Sequence, residues 1–65
     1  MKVAYDSRSD TITMTLKGDA TVAESEEPRP GIVLDVDTEG QVVSIEILDA
    51  STRVSGADQM EFRTE

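Results

Sequence analysis

Cysteine, histidine and tryptophan are all absent from this 65-residue chain. Without cysteine there are no disulfides, so the fold does not rely on an oxidising compartment. Losing cysteine and histidine together removes the common zinc sites and leaves few choices of nucleophile or general base. The aromatics are Tyr5 and Phe62 alone, too few for a base-stacking platform. Glycines 18, 31, 40 and 56 are isolated, so there is no phosphate-binding loop. No apolar run approaches a membrane span, and MKVAYDSRSD turns polar too early for a signal core. A soluble cytoplasmic protein with no membrane association is the expectation. Positive charge is scarce as well. Six basic residues face fourteen acidic ones, for a net charge of −8. Such a surface repels phosphate backbones, which argues against direct nucleic-acid binding, and it favours a basic protein partner. The same charge also keeps a small protein soluble.

Length sets a second limit. A chain of this size makes one small domain and buries only about 60% of its unfolded surface. Burial and chain entropy then nearly cancel. With disulfides and zinc excluded, association is the remaining source of stability, most simply as a homodimer.

What the chain does contain is alternation. Lys2-Val3-Ala4-Tyr5 is followed by a turn at Ser7–Asp10 and then by Thr11-Ile12-Thr13-Met14-Thr15-Leu16. Ile12, Met14 and Leu16 share one face and the threonines the other, the period of a half-buried strand. Closing the turn sets Tyr5 against Ile12 and Val3 against Met14. Lys17–Ala20 reads as a second turn, and Thr21–Glu26 as a weak edge strand. Glu27-Pro28-Arg29-Pro30-Gly31 reads as a rigid connection outside any strand. A second hairpin pairs Ile32–Val36 with Gln41–Leu48 across Asp37-Thr38-Glu39-Gly40. Gly40 suits a left-handed residue. Closing there predicts Leu34 against Val43 and Ile32 against Ile45. Asp49–Arg53 reads as a helical turn capped by Asp49.

The expected fold is therefore mainly β, an antiparallel β-meander of four to five strands with a short C-terminal helical turn. One small domain spans 1–53, and 54–65 form a polar tail whose large apolar residues are Met60 and Phe62. That tail is either frayed or docked by those two side chains. The predicted core is Val3, Tyr5, Ile12, Met14, Leu16, Ile32, Leu34, Val43, Ile45 and Ile47. It lines one face of the sheet and needs a cover.

Two acidic patterns bear on chemistry. Taking Asp35 as the first position of a calcium loop puts oxygens at Asp35, Asp37 and Glu39, with Gly40 sixth and Glu46 twelfth. The flanks are strands, however, where that loop needs helices. Extension along the hairpin is expected to carry Glu46 away from Asp35. Paired carboxylates also do acid–base work, but no apolar pocket is evident beside Glu46 and Asp49 or beside Glu24, Glu26 and Glu27. No catalytic, cofactor-binding or metal residue is assigned, and an enzyme is not expected.

Val3-Ala4-Tyr5-Asp6, the strand from Asp10 to Leu16, Pro30 to Asp37, Gly40, and Ile45-Glu46-Ile47-Leu48-Asp49-Ala50-Ser51 together resemble a family of small prokaryotic proteins. It is a domain-of-unknown-function family numbered twenty-two eighty-three. The resemblance covers residues 1 to about 53. It implies a small β-rich domain and carries no activity with it. It also implies an antitoxin or accessory role beside small toxin-like proteins. The tail after Val54 departs from it in lacking a clear apolar helix over the sheet. The leading functional expectation is a non-enzymatic interaction module, either homo-oligomeric or bound to a basic protein. The alternative is a divalent-metal or small-ligand protein using the acidic turn at 35–40.

Overall fold

A computed structural model of the chain describes residues 1–59 and 61. Met60 and Phe62, expected as docking side chains, lie outside the described residues. The described residues form β1 (Lys2–Asp6), β2 (Thr11–Thr15), β3 (Glu24–Arg29), β4 (Ile32–Val36), β5 (Val42–Ile47) and α1 (Ala50–Arg53). The strands make one antiparallel sheet in the order β1-β2-β5-β4-β3, so the fold is mainly β with a short helical turn. The meander holds within β1-β2 and within β3-β4-β5. Between these ribbons β2 lies against β5, and the segment 16–23 carries the chain past β5 and β4 to the far edge. The order β2-β5-β4-β3 is a Greek key. Crossing three strand spacings takes about 14 Å, well within the reach of eight residues.

The first hairpin has the expected register, with Val3 opposite Met14 and Tyr5 opposite Ile12. The second does not. Leu34 lies opposite Ile45 and Ile32 opposite Ile47, two residues further along β5 than expected. The shift builds in two steps. Val36 faces Val42 where Gln41 was expected, and Asp35 then faces Ser44, so the inserted Val43 in β5 adds the second residue. The carbonyl of Val43 instead accepts from the amides of Leu16 (2.7 Å) and Lys17 (3.1 Å). Beyond the bulge the slip is an even number, so Ser44, Ile45, Glu46 and Ile47 keep their expected faces, whereas Val42 moves to the face of Val36. A second correction concerns the third strand, expected at Thr21–Glu26: β3 starts only at Glu24 and takes in Glu27, Pro28 and Arg29. Their strand is an edge with a register shift between Glu26 and Arg29, where a missing N–H costs no ladder bond.

Direct pairing places Val3, Tyr5, Ile12, Met14, Ile45, Ile47, Ile32 and Leu34 on one face. Its cover comes from the C-terminal segment. Ile12, Ala50 and Ala57 are buried together, with Tyr5, Met14, Ile47 and Val54 packed around them. Of the expected core only Ile12 and Val43 are buried, with 5% and 4% of their surface still exposed, while Val3 and Leu16 are exposed and the rest are half-buried. The cover is simply short. It reaches across β1, β2 and β5 but leaves Ile32, Leu34 and Ile45 half open. Val36, Ala50 and Ala57 are buried without having been expected, since small residues in polar segments carry no periodic signal.

Candidate functional site

The opposite face of the sheet is polar and holds a carboxyl pair. Asp35 faces Ser44 across the β4–β5 ladder and Ser25 across the β3–β4 ladder. Glu46 faces Val33 and so lies diagonally beside Asp35 on the same face. Ser25 Oγ donates to Asp35 Oδ1 (2.6 Å), and Ser44 Oγ donates to Oδ2 (2.7 Å). Only 8% of Asp35 is exposed. Glu46 is hydrogen-bonded to Asp35, which lowers the Asp35 pKa; the two serine hydroxyls lower it further. The same hydrogen bond raises the pKa of Glu46, helped by burial and by the charge of Asp35. The two shifts run in opposite directions, so of the pair Glu46 holds its proton to higher pH. The expectation that extension separates the two carboxyls is corrected here. The hairpin folds back, and the two-residue slip brings Glu46 opposite Val33 instead of opposite Gly31.

The acidic turn between β4 and β5 is spent on the backbone. Asp37 Oδ1 accepts from the amides of Glu39 and Gln41, both at 2.9 Å. The Gln41 amide is the main reason that Asp37 titrates below an ordinary aspartate. Gly40 takes the left-handed conformation (φ 79°), and its amide donates to the Asp37 carbonyl. Asp35 lies on the sheet, not in the turn. Among the described residues no group of three or more metal-ligating side chains converges.

A third constellation joins the first hairpin to the C-terminal segment. Asp10 sits at φ 52° in the β1–β2 turn. Its Oδ1 accepts from Tyr5 Oη (2.8 Å) and from the Ser51 amide (3.0 Å), and its Oδ2 from Ser51 Oγ (2.6 Å). Its carbonyl accepts from the Ala50 amide. Asp10 thus caps α1 from another element. Asp49, the expected cap, is itself left-handed and makes no side-chain cap bond. The hydroxyl of Ser51, with that of Tyr5, holds Asp10 below the usual aspartate range. The Asp10 carboxylate in turn raises Tyr5. Sequence distance hid this cluster, because Asp10 and Ser51 lie 41 positions apart.

On the apolar face, an open groove of about 600 Å³ runs between the β1–β2 hairpin and the C-terminal segment. Met1, Val3, Ile12, Met14, Ile47 and Val54 line it. Met1 is 71% exposed, Val3 37%, and Leu16 further along the sheet 41%. Among the described residues no large side chain is fully buried. No helix among the described residues is long and apolar enough to cross a membrane.

Comparison with known proteins supports the resemblance seen in the sequence. A family model described as a protein of unknown function (DUF2283) matches residues 2–51. No curated protein and no solved structure matches the chain.

Proposed function

The chain belongs to the DUF2283 family, and since that family brings no activity with it, we propose from the surface alone that this is a non-enzymatic interaction module that self-associates. The observation that carries the reading is the unfinished core. The apolar face has a cover over part of its width, no large described side chain is fully buried, and Val3 and Leu16 remain exposed. A single sheet with one apolar face needs a second layer. The radius of gyration, 12.3 Å, exceeds the roughly 11 Å of a compact chain of this length, as a thin layer should. The hydroxyls of Ser44 and Ser51 are bound to carboxylates, and the chain has no histidine to activate either.

Sedimentation equilibrium over a wide concentration range tests this, with a dimer as the expected species. A folded monomer at every concentration would remove the proposal. A basic protein is the other occupant that the excess of acidic residues favours. The same measurement separates the two, because self-association needs no second component.

A further inference from the structure

We propose that the outer edge of β1 is the seam of a homodimer, pairing antiparallel with β1 of a second copy about a two-fold axis at Ala4 and continuing the sheet across both chains. The inference rests on the self-association reading and adds where the copies meet.

The two edges of the sheet are chemically unlike. β3 is exposed throughout and carries Glu24, Glu26, Glu27, Pro28 and Arg29. Its pairing is already irregular between Glu26 and Arg29. Pairing β3 with itself about its midpoint would set Glu26 against Glu27 of the other copy, and Pro28 brings no N–H. Such features keep an edge from pairing. β1 has none of them. Its five residues, Lys-Val-Ala-Tyr-Asp, contain no proline and no bulge, and all five pair in register with β2. Among the described residues no strand pairs with its outer edge.

The strand is also complementary to itself. An antiparallel pair centred on Ala4 sets Lys2 of each copy opposite Asp6 of the other, and Val3 opposite Tyr5. Opposite charges and apolar–aromatic pairs directly across a ladder are stabilising, and like charges are not. Both charge pairs fall on the polar face, and both Val3–Tyr5 pairs on the apolar face. Either set of alternate residues can supply the outward hydrogen bonds, because a two-fold axis through a residue suits both kinds of antiparallel pair. The exposed Val3 would gain an aromatic neighbour. The grooves lined by Met1, Val3 and Met14 would meet at the axis, joining two incomplete cores.

The absence of cysteine makes the test direct. Opposed Cα atoms in an antiparallel pair stand about 4.5–5.5 Å apart, inside the range a disulfide spans. Ala4→Cys is expected to cross-link into a covalent dimer under mild oxidation, and Glu24→Cys on β3 is not. Lys2→Glu and Asp6→Lys, each made alone, should raise the dimer dissociation constant about tenfold. Combined, they should restore it. Asp6 also accepts from the Arg8 amide in the turn, at 2.9 Å, so restoration is the decisive readout. A dimer by sedimentation whose Ala4→Cys variant cross-links no faster than Glu24→Cys overturns the seam and leaves self-association standing. Failure of the double reversal to restore affinity also overturns the seam. A monomer at all concentrations overturns both.

Discussion

Asp35 and Glu46 oppose each other in how they couple folding to pH. The folded pKa of Glu46 is raised above 4.5. Its contribution to stability is complete below that value and is lost as pH rises through the folded pKa. Asp35 and Asp10 are lowered below 3.8. Their contributions are complete above that value and are lost as pH falls through the folded pKa. The serine-bound Asp35 carboxylate is therefore favourable above its folded pKa, while Glu46 becomes less favourable as rising pH takes its proton beside the Asp35 charge. Glu46→Gln keeps a donor for Asp35 without the charge. We expect it to stabilise the protein at pH 7 by about 1 kcal/mol, or about 5 °C in Tm. Thermal melts from mildly acid to neutral pH should show the wild type losing stability relative to the variant as pH rises. Parallel profiles would contradict the raised pKa of Glu46. This pair was legible as residue types but not as a contact. Alternation puts Asp35 and Glu46 on the polar face, yet the turn that sets Val36 against Val42 and the inserted Val43 together make the slip that brings them side by side.

At the scale of elements, every strand but β3 follows from side-chain period, and the junctions follow from single backbone positions. Gly31 joins β3 to β4 at φ 83°. A Cβ there would meet Arg53 Nη2 at 2.6 Å. That same nitrogen donates to the Pro30 carbonyl at 2.6 Å, and the Gly31 carbonyl accepts from the Leu48 amide at 2.8 Å. The β3–β4 turn and the helical turn are therefore fastened to each other. Gly31→Ala forces a left-handed alanine, a cost of about 1–2 kcal/mol, and expels the guanidinium as well. Denaturant unfolding should show at least that loss. Arg53→Ala added to Gly31→Ala should cost less than Arg53→Ala alone, since the contact is already gone. The helical turn itself was readable at Ala50–Arg53, but its cap was not. A four-residue turn has no propensity signal strong enough to form alone, and its first amides are met by Asp10 from the opposite end of the chain.

At the scale of the molecule, the domain is one sheet with a partial second layer. A core so thin gains by doubling. If the dimer is the stable form, Tm must rise with protein concentration. The gain is about 0.7 kcal/mol per protomer for each tenfold increase. Val3→Glu places a charge on the exposed apolar edge and should abolish that dependence. Scanning calorimetry at two concentrations checks both, and a Tm independent of concentration in the wild type would argue for a self-sufficient monomer. The even-numbered slip explains why the apolar face was assigned correctly from sequence even though the register was not.

By itself, the sequence determined where four of the five strands lie, which side of the sheet takes the large apolar residues, and that the core would be small. These are consequences of alternation, length and composition, which act locally. Tertiary structure decided the rest: the return of β5 to β2, the pairing of Asp35 with Glu46, and the cap that Asp10 lends to α1. Each depends on two segments meeting in space. A strand's period says which way a side chain points, but only closure of the sheet says what it points at.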